Sequence, residues 1–175
     1  MSHSEDALRE SLFGHTPVVA DSAFVSRLSY LVGEVAVGER ASLWPFTCLR
    51  GDGGSGGVIV GDETNVQEFS MLHGADIGNN VTVGHSVVVD YATVEDHSLV
   101  GMNSCVLRDA TVESNCIVAA GAVVLQGQTV PKGHLAYGAP AQTKPLTDDQ
   151  RDEIERVHEH YVELSREYKE TGRFE

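Results

Sequence analysis

Lysine is almost missing from this 175-residue chain: Lys132, Lys144 and Lys169 are the only three. With arginine the basic side chains number 12, against 26 acidic ones, for a formal net charge of −14. Such a surface repels phosphate backbones and anionic lipid, which argues against nucleic acid and membrane surfaces as partners. Cysteine is equally sparse. Cys48, Cys105 and Cys116 form an odd set of three, which excludes a disulfide framework and makes a reducing cytoplasm the expected setting. No run approaches the roughly eighteen apolar residues that a membrane-crossing helix needs. Glu5, Asp6, Glu10 and Asp21 interrupt the start, so no secretory signal is expected.

What remains is a chain with 41% hydrophobic residues, enough to bury the core of one domain. Its acid-rich, lysine-poor composition resembles that of proteins from salt-loving organisms, in which dense carboxylates keep the surface hydrated and salt screens their repulsion. The hydrophobic residues follow a strict period. Val19, Val25, Leu31, Val37, Leu43 and Leu49 lie six apart, and the series resumes at Val60, Val66 and Leu72. It continues through Ile77, Val83 and Val89, then Val94, Val100, Val106, Val112, Val118, Val124 and Val130. All nineteen positions hold Val, Leu or Ile, and small residues such as Ala23, Ser29, Thr64, Ser98 and Ala122 recur four places later.

A period of six fits neither an α-helix nor a hairpin ladder. It fits a short strand plus a corner, with one branched side chain pointing inward per unit. Three units make one triangular coil, and successive coils pair as parallel strands about 4.8 Å apart. The expectation is an all-β solenoid, a parallel β-helix over residues 18–140. Its one long interruption, Leu49 to Val60, holds Gly51-Asp52-Gly53-Gly54-Ser55-Gly56-Gly57 and reads as a loop. The steps Leu72–Ile77 and Val89–Val94 are one residue short, so two corners are tighter. Residues 1–17 form an N-terminal arm in which Leu8, Leu12 and Phe13 suggest a docking turn. After the exit turn Gly138-Ala139-Pro140, Thr147-Asp148-Asp149-Gln150 reads as a capping box. Ile154, Val157, Tyr161, Leu164 and Tyr168 then give a C-terminal α-helix, within 146–170, one apolar face for packing on the prism.

Leu72 and Val89 are one shortened coil apart, so His73 and Asp90, the residues after them, share a face and point outward. Side chains on adjacent strands at about 5 Å can share a metal ion. His85 belongs to the preceding face, across a corner. A neighbouring subunit packed on that corner would bring its own His85 to the first chain's His73 and Asp90. A three-sided prism suits a cyclic trimer with such closing contacts.

The words Leu49-Arg50-Gly51-Asp52, Thr64-Asn65-Val66-Gln67, Leu72-His73, Val83-Gly84-His85, Val100-Gly101-Met102 and Tyr137-Gly138-Ala139-Pro140-Ala141 resemble those of the gamma-class carbonic anhydrase-like family over roughly residues 17–150. The resemblance implies a left-handed coil; periodicity alone does not give the hand. It further implies a homotrimer holding zinc, or iron or cobalt, between subunits, where a metal-bound hydroxide converts carbon dioxide to bicarbonate. His73 and His85 match two of the family's three histidine ligands, while Asp90 stands where the third histidine is found. His₂-carboxylate sets hold catalytic zinc and ferrous iron elsewhere, but the added charge makes the ion a weaker Lewis acid. Gln67 and Asn65 match positions near the metal, Arg50 and Asp52 an inter-subunit salt bridge, and Tyr137 a tyrosine near the metal. The family's acidic proton shuttle has no clear counterpart, since Gly53 follows Asp52; Glu68 is a nearby candidate.

Of the other histidines, His97 falls at a corner, His134 at the prism end, His158 and His160 on the exposed side of the helix, and His3 and His15 in the arm. Two alternatives stay open: a non-catalytic structural or assembly homologue, and a coenzyme A-dependent hexapeptide acyltransferase in which His73 is the base.

Overall fold

The structure, a computed structural model, describes residues 8–54 and 56–172; His3 and the first seven residues of the arm lie outside it, as does Ser55. The chain winds as a left-handed triangular prism of parallel β-coils. One face is built from Leu8–Glu10, Tyr30–Gly33, Cys48–Gly51, Met71–His73, Val88–Asp90, Cys105–Val106 and Val123–Val124. A second runs from Val18–Val19 through Val35–Val37, Val58–Val60, Asp76–Ile77, Thr93–Val94 and Thr111–Val112 to Thr129–Val130. The third runs from Phe24–Val25 to Ile117–Val118 and His134–Tyr137, where Gln142–Pro145 turns back antiparallel and closes the stack.

The inward column of the first face shows how the hexad works: Leu49, Leu72, Val89, Val106 and Val124 lie in direct register on successive coils. Every hexad aliphatic except Val19 and Val25 is buried, and those two pack partly buried at the N-terminal end. Burial stabilises each such side chain by about 1.5–3 kcal/mol, and a second cluster of Ile117, Leu135, Leu146 and Ile154 seats the C-terminal helix on the third face. The small residues four places on turn into the corners: Ala23, Ser29, Thr64, Ser98 and Ala122 are all buried. Along one edge the corner residue adopts a left-handed backbone at Arg40, Glu63, Asn80, His97 and Asn115, one coil above another. Left-handed φ values cost non-glycine residues of the order of 1 kcal/mol, which the packed coils on either side over-determine.

Two expectations need correction. The arm makes its turn only in part: Leu12 and His15 exchange backbone hydrogen bonds across Phe13-Gly14, with Leu12 half-buried, but Leu8 lies in Leu8–Glu10, which pairs in parallel with Tyr30–Gly33, and Leu8 and Phe13 stay exposed. The unpaired backbone groups at the open end of the first face attract a strand whatever its side chains. His158 is not on the exposed side of the helix Asp148–Thr171 but buried with Ile154 and Ser165. The reason is aromatic. Tyr161 and Tyr168 set their rings edge-on against Trp44 at 5.6 and 5.1 Å, which turns His158 inward and leaves Leu164 half-buried. Thr147 and Gln150 form the capping box that opens this helix.

Candidate metal site

The register that stacks Leu49, Leu72 and Val89 inward stacks Arg50, His73 and Asp90 outward, one residue later on each strand. His73 sits between two carboxylates. Its Nδ1 lies 2.8 Å from Asp90 Oδ1, and its Nε2 lies 2.9 Å from Asp52 Oδ2. Asp52 is supplied by the start of the glycine-rich loop, directly after the strand Cys48–Gly51, so the interruption of the hexad delivers a carboxylate back onto the face. Arg50 donates to both Asp52 oxygens, from Nε at 2.7 Å and from Nη2 at 3.1 Å.

These partners hold the Asp52 carboxyl down to about 2, first through the hydrogen bond with His73 and then through that with Arg50. A carboxylate whose folded pKa lies below its unfolded value stabilises the fold above about pH 4, and loses that contribution as the pH falls through about 2. Asp52→Asn is therefore expected to be less stable than the natural chain at pH 6, with the gap closing between about pH 4 and pH 2. Urea unfolding of both proteins across that range checks it; a gap that does not change with pH contradicts it.

His85 stands apart, on the corner that joins the third face to the first. Its Nδ1 lies 2.8 Å from Glu68 Oε2. Gln67 and Asn65 belong to this second cluster, as both are buried on the third face. Gln67 Nε2 donates to Asn65 Oδ1 at 3.1 Å, and Asn65 Nδ2 donates to Thr82 Oγ1 at 2.9 Å. A groove beside the C-terminal helix puts Gln67 and His85 together with Tyr161 and Glu153. On the same corner Phe46 and Phe69 stack at 5.2 Å with their rings 11° from parallel, both largely exposed.

Within one chain the site residues read from the sequence thus fall into two groups. Arg50, Asp52, His73 and Asp90 meet on the first face; His85, Gln67 and Asn65 meet around the next corner. Tyr137 joins neither, lying at the prism end with Lys144 Nζ 5.1 Å from its ring centre. Arg50 and Asp52 close on each other inside the chain. No three potential ligands gather at one point among the described residues. The donor chemistry nevertheless fits a cation. A carboxylate only accepts, and a neutral imidazole carries one N–H, so the second of the two His73–carboxylate contacts needs a positive charge: a proton or a metal ion. With Asp52 on Nε2, His73 Nδ1 and the Asp90 carboxylate it faces are the two groups that could share an ion in place of a proton, and a carboxylate on the other ring nitrogen is the arrangement that orients a ligating histidine.

Tyr91 is the residue that spacing missed. Its hydroxyl donates to Asp52 Oδ2 at 3.2 Å, and its ring lies edge-on to that of His73 at 4.5 Å. An aromatic residue at a left-handed corner, directly after a candidate ligand, was the available signal.

No protein-family profile matches the chain. It is 36% identical over 162 residues to a carbonic anhydrase of Geobacillus kaustophilus, covering 89% of this chain and 88% of that one. It is 43% identical over 161 residues to the uncharacterized transferase YtoA of Bacillus subtilis, covering 89% and 93%. Among solved structures, a hexapeptide transferase family protein from Anaplasma phagocytophilum superposes with a TM-score of 0.87 at 33% identity, covering 92% of this chain and 98% of that one.

Proposed function

The chain belongs to the gamma carbonic anhydrase-like family of hexapeptide-repeat β-helix proteins, and on that premise we propose that it hydrates carbon dioxide reversibly to bicarbonate as a trimeric metalloprotein. His73 and Asp90 of one subunit and His85 of its neighbour would hold the ion, zinc in the first place, with iron or cobalt as substitutes. The observation that supports this reading is the position of His73 between two carboxylates, Asp52 2.9 Å from one nitrogen and Asp90 2.8 Å from the other, a donor set that takes up a positive charge.

When bound, the metal supplies the Lewis acidity that makes water a nucleophile near neutral pH. The protein's own groups divide the remaining work. Asp52, itself fixed by Arg50, would hold the His73 ring in one orientation by accepting its Nε2–H. Gln67 and Asn65, whose amides are tied to each other, would bring fixed hydrogen-bonding groups to the substrate from the His85 side. Glu68 beside His85 is the nearest carboxylate able to pass a proton from that side to solvent. Packing of the Phe46–Phe69 corner against a neighbour's first face would cover the exposed rings and bring His85 to the site of the next chain. With three cysteines unpaired in the structure, we place the protein in the cytoplasm. No helix among the described residues is long and apolar enough to cross a membrane.

One observation favours a second reading. A histidine with Nε2 on a buttressing carboxylate is also the arrangement of a general base, as an acyltransferase would use. The test is to purify the protein anaerobically, measure its metal content and mass in solution, and follow carbon dioxide hydration by stopped flow before and after chelation. The proposal expects a trimer with about one ion per chain and hydration that chelation abolishes and metal restores. A monomer, or a trimer free of metal with no hydration, contradicts it.

A further inference from the structure

We propose that Tyr91, clamped by Arg108, is a positioning residue that locks Asp52 and His73 in place; toward the metal, this rests on the reading of His73 as a ligand. Four observations converge on it. The Tyr91 hydroxyl donates to Asp52 Oδ2, the same oxygen that faces His73 Nε2. The Tyr91 ring packs edge-on against the His73 ring with centres 4.5 Å apart. On Tyr91's other side, the guanidinium carbon of Arg108 sits 3.9 Å from the ring centre, a cation–π distance. Finally, the ring has a berth in which side chains are missing. A Cβ on Gly74 would come within 2.6 Å of Tyr91 Cδ1, and one on Gly56 within 3.1 Å of its Cε1.

The backbone shows the same commitment. Tyr91 holds φ at +47°, a left-handed value that is unfavourable for an aromatic residue. Its N–H donates to the His73 carbonyl at 2.7 Å, and its own carbonyl accepts from the Asp109 N–H at 2.8 Å. Gly74 occupies the equivalent corner position one coil earlier, also at positive φ, and adopts it without a side chain to place. Nothing in the hexad requires a large aromatic at this corner, since neither Gly74 nor Asp109 supplies one. Backbone strain held beside a charged cluster is where a positioning role is expected. Asp52 comes from a loop with glycine at four of positions 53–57, so Arg50 and Tyr91 are what fix its direction toward His73. Arg50 sets the carboxylate from one side and Tyr91 from the other.

Tyr91→Phe keeps the ring, its glycine berth and the Arg108 contact while deleting one hydroxyl. Two measurements on the full chain read its effect. In metal-free protein, NMR detection of the His73 ring N–H protons is expected to show slow solvent exchange in the natural chain and signals broadened by fast exchange in Tyr91→Phe. In cobalt(II) titrations followed by visible absorption, Tyr91→Phe is expected to bind about tenfold more weakly, the usual scale for losing a partner of a metal-ligating histidine. Arg108→Gln, which leaves the hydroxyl in place but frees the ring, is expected to shift both readouts in the same direction by less. Melting temperatures close to that of the natural chain would show that the prism is intact. Unchanged ring N–H exchange together with unchanged cobalt affinity in Tyr91→Phe overturns the positioning role. Failure of the natural chain itself to take up cobalt overturns the metal reading instead, and the metal-free exchange comparison then still decides whether Tyr91 positions His73.

Discussion

His73→Ala is expected to lose the bound ion almost completely, with affinity falling by roughly a hundredfold or more, while the trimer still assembles. The first half follows from ligand count. Alanine leaves one carboxylate from one chain and one imidazole from another, too few to hold a divalent cation against water. It also leaves Asp52 and Asp90 facing each other with no positive group between them except Arg50 on Asp52. The second half follows from the fold. Position 73 points outward, whereas Leu72 beside it is fully buried in the inward column that fixes the coil. His85→Ala is expected to behave in the same way, because its side chain stands on a corner and contributes nothing to the core. Elemental analysis of each purified variant, with its mass from light scattering, checks both halves. A His73→Ala trimer that retains its full metal content contradicts the ligand assignment.

Asp90→His is expected to raise carbon dioxide hydration near neutral pH by roughly tenfold, the effect of about one pKa unit on the activated water. As a ligand, Asp90 would put a negative charge next to the ion and weaken its pull on water; an imidazole would remove that charge and keep a ligand at the same place. The substitution is accommodated because Asp90 ends its strand and its side chain is half-exposed, directly across from His73. Asp90→Ala is expected to lose metal instead. Stopped-flow hydration of the natural chain and the two variants, each with its metal content, separates the cases. If Asp90→Ala binds metal as well as the natural chain, Asp90 serves only as a hydrogen-bond partner of His73.

The prism was legible because its code is local and repeated. Each hexad aliphatic states its own inward direction, and nineteen of them agree. The shortened corner between Leu72 and Ile77 even fixed the pairing of His73 with Asp90, since register follows once the coil length is counted. The strand in the arm is not legible because Leu8–Glu10 is held by backbone hydrogen bonds to Tyr30–Gly33, which leave no mark on side-chain pattern. His158 was misread because the helix is turned by Trp44, which is remote in sequence from the tyrosines it packs on. The site was legible in part, for the same reason of distance. Position along the repeat places His73 and Asp90 in one row, but the addition of Arg50 to that row and the return of Asp52 depend on how the glycine loop is spanned. Tyr91 depends on the glycines at 56 and 74 that make room for it, and a pairwise dependence of that kind cannot be read from either residue alone.

If each site is shared between chains, two chains defective in different ligands should complement each other when mixed. His73→Ala supplies only an intact His85, and His85→Ala supplies only an intact His73 with Asp90. In trimers assembled at random from equal amounts of the two, a site is complete when an intact His73 meets a neighbour's intact His85. That happens at half times half of the interfaces, so the mixture should bind about a quarter of the metal held by the natural protein, although each variant alone binds almost none. Co-refolded mixtures that bind no more metal than either variant alone would show that the two histidines must come from one chain, and the shared site would be wrong.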